Sequence, residues 1–442
     1  MFGCSLGKLF QTTIAGGSYQ EGLTAVIQGA PSGMYLTEAE IYGDLLLRKP
    51  GADELSSPRK EPDLPVIYTG LNAADTIKGA GNANKTNGTP LSVLIPNLDR
   101  HFIHIEQYQD TNRTPRPGHA SYASFIKYGP DDDAIGAGIF SGRYTSTIVA
   151  AGYIAKKILS QMGIHVFSFV RELAGVKLPE VDFTKAFEYT KRYKQMRIDF
   201  DPFYQELYTG KRLTMSMRYL EKMAVLAKVE NEIDAIRDKA LIPDHKKIVE
   251  KYNVHHVLNC PDIEVSNEMV KACNAISATG DSAGGTVEVI VQNAPAGLGE
   301  PVFNKLDAEL GRMLGIGAIK GVEVGAGFGV KDMTGYQSND QMHNENGKVV
   351  FDSNNAGGIT GGLATGQDII VRLAVKPTPT IDKKQQTIDK YTKKTTQLAA
   401  ITRRDPTIVA RVWPVAENYT ALVILDALIA DYGYQKMRSF FL

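Results

Sequence analysis

The chain has 442 residues, 43% apolar and 22% charged, a balance that supports a substantial buried core and excludes a disordered or low-complexity chain. Lysine plus arginine and aspartate plus glutamate both total 49, so no net field draws the protein to nucleic acid or an anionic membrane, and phosphate recognition must be local. Three scattered cysteines, Cys4, Cys260 and Cys273, exclude a disulfide framework and zinc-ligand spacing and fit a reducing compartment.

Residues 1–17 lack the basic and then apolar order of a secretory signal, and no stretch reads as the roughly 20 apolar residues that span a bilayer, so the expectation is a cytoplasmic protein without membrane contact. Thr37 and Glu40 form a capping box that opens a helix carrying Ile41 and Leu45, which Pro50-Gly51 stops. Residues 71–90, rich in Gly, Asn and Lys, read as a long surface loop before a strand at 91–96. Ser141 caps a second helix with Ile148, Ala151, Ala155 and Ile158 on one face and Gly163 beyond its end; a strand follows over 164–170.

From 182 to 252 the chain turns to mixed-charge helices, with Leu220, Met223, Ala227, Val229, Ile233 and Ile236 along one stripe and no clustered His, Cys or carboxylate ligands. This segment reads as a helical insertion, dividing a core into 1–181 and 253–442. Beyond it come strands at 286–292 and 368–375 and helices at 301–314 and 417–432, an α+β pattern.

Gly17-Ser18 leads after ten residues to QGAPSGM at 28–34, and Asp281-Ser282 leads after ten to QNAPAGL at 292–298. Each copy is a strand ending in a Pro/Gly turn and followed by a helix, as duplication of one supersecondary unit would leave.

These repeats, with RPGHA at 116–120, KYG at 127–129, SGRYTSTIVAAG at 141–152, IKGVEVGAGF at 319–328, NNAGGITGGLATG at 354–366, KPTPTID at 376–382 and RRDPTIVARVWPVAE at 403–417, resemble the chorismate synthase family in collinear order. The resemblance implies a β-α-β sandwich, a homotetramer and reduced FMN; the repeat adds an internal pseudo-two-fold, and because no G-x-G-x-x-G fingerprint follows a predicted strand, an external flavin reductase is expected to supply the reduced cofactor. The implied reaction is anti elimination of phosphate from 5-enolpyruvylshikimate 3-phosphate to chorismate, with no net redox change.

Onto this sequence the resemblance carries Arg48, Arg116, Arg143 and Arg403 as substrate-binding arginines, whose planar forks suit phosphate and carboxylate. It makes His119 and Asp405 catalytic groups beside the flavin, the histidine donating a proton from a near-neutral pKa. The FMN contacts fall on Ser141, Gly317, Ala318, Gly361, Lys376, Pro377, Thr378, Pro379, Thr380 and Arg403. Alone, any one of these arginines reads as a solvated surface residue and His119 as a turn histidine.

Several positions depart from the family. Tyr19 stands where the first motif has its proton-donating histidine, and a phenol, with a reference pKa of about 10, surrenders a proton less readily than imidazolium. Glu54 replaces a further substrate-binding arginine. Ser121, Tyr144 and Arg404 replace an Asp, a Glu and a His, while Ile139 and Phe140 replace polar flavin neighbours. A compensating swap would have Arg404 restore the charge lost at Glu54. The alternatives are a related lyase on another phosphorylated substrate, or a non-catalytic flavin-binding relative.

Overall fold

The computed structural model describes residues 3–51, 54–56, 59–72, 83–99, 112–239, 245–399 and 404–441. Half of the loop expected at 71–90, residues 73–82, and Arg403 lie outside the described residues.

Two five-stranded antiparallel sheets frame the protein. The first runs in the order Ser5–Leu6, Thr12–Gly16, Gly22–Ile27, Leu91–Pro96 and Val66–Thr69. Burial alternates along Gly22–Ile27 with the period of two that a one-faced strand requires, Leu23, Ala25 and Ile27 pointing inward. The second sheet runs Val176–Lys177, His165–Leu173, Gly285–Gln292, Ile369–Val375 and Ile319–Val324. Its central strand is buried without interruption from Val287 to Val291. Even Glu288 lies inside, where Arg372 donates to it at 2.5 Å.

Helices fill the space between the sheets. Thr145–Gln161 packs on the first sheet, Val409–Ser439 on the second, and the two helices pack on each other. Their close approach depends on Gly152: a Cβ there would meet the Asn418 backbone oxygen at 2.4 Å. The expected capping box is present, with Thr37 Oγ1 accepting from the Glu40 amide at 3.2 Å ahead of helix Glu38–Arg48. Mixed strands and helices place the protein in the α+β class.

Buried charge ties these layers together. Lys156 pairs with both Asp44 and Glu417, and Lys194 also reaches Asp44. Burial alone would push the Asp44 carboxyl up, but the Lys156 and Lys194 ammonium groups outweigh it and hold it below the usual carboxylate range.

Three elements differ from expectation. The final helix begins at Val409 rather than 417 and tolerates Pro414. The carbonyl that Pro414 would have engaged, Ala410 O, accepts instead from the Trp413 indole at 3.1 Å, so the missing bond is partly replaced. By length and composition its portion Val409–Gly433 could cross a membrane, against the sequence expectation, but 89% of its most apolar window is buried inside the protein, as in a core helix. The helix expected at 301–314 is confined to Leu306–Gly311 and a following 3-10 turn, because Val302 takes a left-handed backbone.

In helix Tyr219–Arg237 the inward stripe is Lys222, Leu226, Val229, Ile233 and Ile236, at helical four-three spacing; Leu220 and Ala227 fall off it and are exposed. The 182–252 helices pack firmly on the core. Tyr42 donates to Asp201 at 3.0 Å, and Lys222 pairs with Glu38.

Candidate functional site

The site is built from chain turns at the ends of these elements. Arg48 is the last residue of helix Glu38–Arg48, and Arg143 sits in the 3-10 turn that enters helix Thr145–Gln161. Ser141 caps that turn, its Oγ accepting from the Arg143 amide at 3.3 Å. Both guanidinium groups are buried and share one carboxylate: Arg48 Nη1 lies 3.3 Å from Asp63 Oδ2, and Arg143 Nη1 pairs with Asp63 Oδ1. Arg143 further donates through Nε to Asn97 Oδ1 at 2.8 Å and lies 3.4 Å from Glu61.

Burial lowers both arginines to about 9, helped at Arg48 by Arg411 and Arg59 and at Arg143 by Arg48 and Arg59 against the opposing pull of Glu61. They remain charged at neutral pH. Their mutual repulsion is the sign that four cations crowd one region.

Arg59 is a functional candidate that the sequence reading missed. It donates to Ser18 Oγ at 3.1 Å and Ser18 O at 3.3 Å, and its guanidinium lies 5.4 Å from the Tyr19 ring centre. Gly136 closes the other side, since a Cβ there would fall 2.3 Å from that ring, and its φ of 57° suits glycine. Arg411, also missed, bonds Asp405 at 2.5 Å and leaves its buried Nε without a hydrogen-bond partner. Neither stood out as more than a lone arginine; the Arg59 signal was its place five residues beyond Glu54.

A second wall carries Arg116 and His119. Ser121 locks their turn: its Oγ accepts from the Arg116 amide at 3.0 Å, and its own amide donates to His119 Nδ1 at 3.1 Å. That bond leaves the His119 proton on Nε2. Burial, then Arg116 and Lys376, lowers His119 to about 4, so the ligand-free protein holds a neutral imidazole rather than the near-neutral acid expected. Arg116 donates to Thr380 Oγ1 at 3.2 Å and Lys376 Nζ to Gly118 O at 2.5 Å.

The walls join into a circuit. Tyr144 follows Arg143, donates to Gly315 O at 3.0 Å and accepts from the Gly317 amide at 2.8 Å; Ala318 O accepts from the Lys376 amide at 2.9 Å. On the return side Thr378 Oγ1 donates to Asp405 O at 2.8 Å, and Asp405 leads through Arg411 to Arg48. The circuit therefore includes Tyr19, Arg48, Arg116, His119, Ser141, Arg143, Gly317, Ala318, Lys376, Thr378, Thr380 and Asp405, with Pro377 and Pro379 on the segment that follows strand Ile369–Val375. Gly361 is not part of it; it lies at the turn of the Ile359–Thr360 and Leu363–Ala364 hairpin. Two cavities, of about 370 and 150 Å³, do not coincide with it; the first borders it along Pro96, Asn97 and Leu98.

Glu54 does not face this circuit. Burial and then the Glu54 charge push the Cys273 thiol up to about 11, which puts Glu54 beside helix Ile263–Ala278. Arg404 does not compensate for it either, because it caps that helix, donating to Ser277 O at 2.8 Å and Asp281 O at 3.0 Å.

Among the described residues the circuit gathers six cations, Arg48, Arg59, Arg116, Arg143, Arg411 and Lys376, around three carboxylates, Glu61, Asp63 and Asp405. That surplus, with the open Arg411 Nε, fits ligands bearing phosphate or carboxylate groups, as a phosphorylated flavin and substrate would.

A histidine cluster straddles the end of the helical segment, His245 within it and His255 and His256 just beyond, with ring centroids 4.7–5.0 Å apart. His255 Nδ1 accepts from the Val257 and Leu258 amides at 3.1 and 3.2 Å, which fixes its proton on Nε2, toward Asn267. In that tautomer His255 has no lone pair to offer a metal, and the cluster packs the start of helix His245–Tyr252 against the following turn.

A sequence profile for chorismate synthase matches residues 10–429. Chorismate synthase of Acetivibrio thermocellus is 36% identical over 456 aligned residues, covering 99% of this chain and 98% of that one. The Methanosarcina mazei chorismate synthase is 36% identical over 440 residues and 99% of each chain. A crystal structure of a chorismate synthase shares the fold at a TM-score of 0.63 and 24% identity, covering 98% of this chain and 97% of that one. Profile and full-length relatives agree: the chain belongs to the chorismate synthase family.

Proposed function

We propose that the protein is an FMN-dependent lyase that eliminates phosphate from 5-enolpyruvylshikimate 3-phosphate to give chorismate, in the shikimate route to aromatic amino acids. The observation that carries this reading is the convergence of Arg48, Arg59, Arg143 and Arg411 beside the wall that bears Arg116 and His119.

In the reaction a carbon–oxygen bond breaks with its electron pair leaving on phosphate, a proton leaves a substrate carbon, and a carbon–carbon double bond forms. Reduced FMN, when bound, lends electron density to the breaking bond and regains it, so no net oxidation results. The arginines neutralise the leaving phosphate and the substrate carboxylates, in surroundings where burial strengthens each charge. His119, neutral with Nε2–H, donates a hydrogen bond to developing negative charge. Asp405, held by its hydrogen bond from Arg411, accepts the substrate proton. Tyr19 offers a phenol hydrogen bond where the family uses imidazole. Lys376, Thr378, Thr380, Ser141 and the Gly317–Ala318 backbone would hold FMN, with Pro377 and Pro379 as its apolar wall and Arg403 completing the set; Gly361, in its separate hairpin turn, is not counted among them.

The finer architectural reading goes with this function. A pseudo-two-fold core over 1–181 and 253–442, with 182–252 inserted, is supported by the two similar sheets and the repeated QGAPSGM and QNAPAGL turns. A homotetramer is supported by the exposure of Phe303 at 91%, with Phe328, Tyr336, Met342 and Val349 also exposed along one stretch of chain. The reading further includes a cytoplasmic setting and a separate reductase that supplies reduced flavin.

A second reading, the same scaffold acting on another phosphorylated substrate, is favoured by the enclosure of Tyr19 between Arg59 and Gly136. One assay separates the two. Purified protein with reduced FMN and 5-enolpyruvylshikimate 3-phosphate, kept anaerobic, yields chorismate and phosphate one for one on the first reading and neither on the second.

A further inference from the structure

Lys390 is among the most buried side chains of the protein, at 2% exposure, although it carries an ammonium. It lies in the turn of the Gln385–Ile388 and Thr395–Leu398 hairpin, outside the circuit of site residues. Taking an ammonium from water is costly, and a Met or Leu would fill the same space without that cost, so the contacts it makes indicate what it is for.

Those contacts reach both walls of the site. Lys390 Nζ donates to Asn112 Oδ1 at 2.9 Å, and its backbone amide donates to Arg113 O at 3.0 Å, four and three residues ahead of Arg116. On the same hairpin Thr387 Oγ1 donates to Pro115 O at 2.5 Å. In the other direction Lys390 Nζ lies 3.6 Å from the buried Asp132 carboxylate. The next residue, Asp133, accepts from Gln20 Nε2 at 2.9 Å, and Gln20 adjoins Tyr19. The Phe125 ring closes over the ammonium at 4.5 Å.

We propose that Lys390 is a positioning residue: its ammonium sets the Arg116–His119 turn in register with the loop that steadies Tyr19. This inference rests on the lyase reading for its consequence but not for its geometry. Rings of this kind convert a sub-ångström shift into lost rate, because His119 and Tyr19 must face the same reacting atoms.

The test compares Lys390→Met, which keeps the length and loses the charge, with Lys390→Arg, which keeps donors for Asn112 and Asp132. The readouts are kcat, KM, and the pH dependence of His119 modification by diethyl pyrocarbonate, followed by mass spectrometry. Lys390→Met is expected to lower kcat at least tenfold with a smaller change in KM, and to bring a titration of His119 toward the ordinary histidine range, while Lys390→Arg restores part of both. If Lys390→Met does not fold, Asn112→Ala removes one acceptor of the same ammonium and carries the same expectation. A folded variant with the parent kcat and the parent His119 profile overturns the proposal, as does a variant that loses only thermal stability. Absence of turnover in the parent protein would count against the lyase reading alone, since the His119 profile still decides the role of Lys390.

Discussion

The guanidinium of Arg59 lies over the ring of Tyr19, 5.4 Å from its centre, and the same guanidinium donates twice to Ser18. The pair sets a cation beside a phenol, next to the buried Arg48 and Arg143. Arg59→Leu is expected to lower kcat/KM by about 10²-fold, on the order of 2–3 kcal/mol of lost charge-assisted contact, with little change in unfolding midpoint. Steady-state kinetics under anaerobic conditions measures this; an unchanged kcat/KM would remove Arg59 from the site.

Gly136 tests the other face of the same ring. Gly136→Ala puts a methyl group 2.3 Å from the Tyr19 ring on a backbone with φ of 57°, whereas Gly163→Ala has a similar φ of 74° and open space around it. Left-handed strain costs each about 1–2 kcal/mol, the clash lowers the Gly136→Ala melting temperature further, and only Gly136→Ala displaces Tyr19 and lowers turnover. Equal activity in the two variants would show that Tyr19 has no required position.

Asp63 holds two buried arginines at once. Asp63→Asn leaves Arg48 and Arg143 without their shared carboxylate, and breaking a buried pair in this way costs about 3–5 kcal/mol. Urea unfolding should show the loss directly. A change below about 1 kcal/mol would mean that water or another acid reaches the arginines.

His119 gives a pH signature. Its folded value, about 4, lies below the ordinary histidine value, so the unfolded chain binds the proton more readily. Its contribution to stability is therefore complete above about pH 6.5 and is lost as pH falls from there through 4. His119→Asn should flatten the stability curve in that window. In the ligand-free protein its reactivity toward diethyl pyrocarbonate should stay level between about pH 5 and 8, where an ordinary histidine would titrate.

Local signals in the sequence were legible wherever the cause was local. Thr37 and Glu40 announce their helix because a capping box needs only four residues, and the strand at Leu91–Pro96 needs only one buried face. The final helix was read as starting after Pro414 because the rule for proline is local, while the Trp413 indole that meets the Ala410 carbonyl is part of the particular packing. The site divides the same way. Arg48, Arg116, Arg143, His119 and Lys376 were legible through motifs, but the neutral state of His119 follows from burial beside two cations that meet only in the fold. Arg59, Arg411 and Lys390 carry no pattern of their own, and the displacement of Glu54 toward Cys273 depends on the path of its loop.

The most direct measurement is a crystal structure of the protein with FMN and 5-enolpyruvylshikimate 3-phosphate bound together. The account predicts the substrate phosphate and carboxylates among Arg48, Arg59, Arg116 and Arg143, with the flavin against Lys376 to Thr380 and His119 facing both. Flavin or substrate bound elsewhere, with Arg48 and Arg143 still closed on Asp63 and no ligand within hydrogen-bond reach of Arg59 or Arg116, would contradict it.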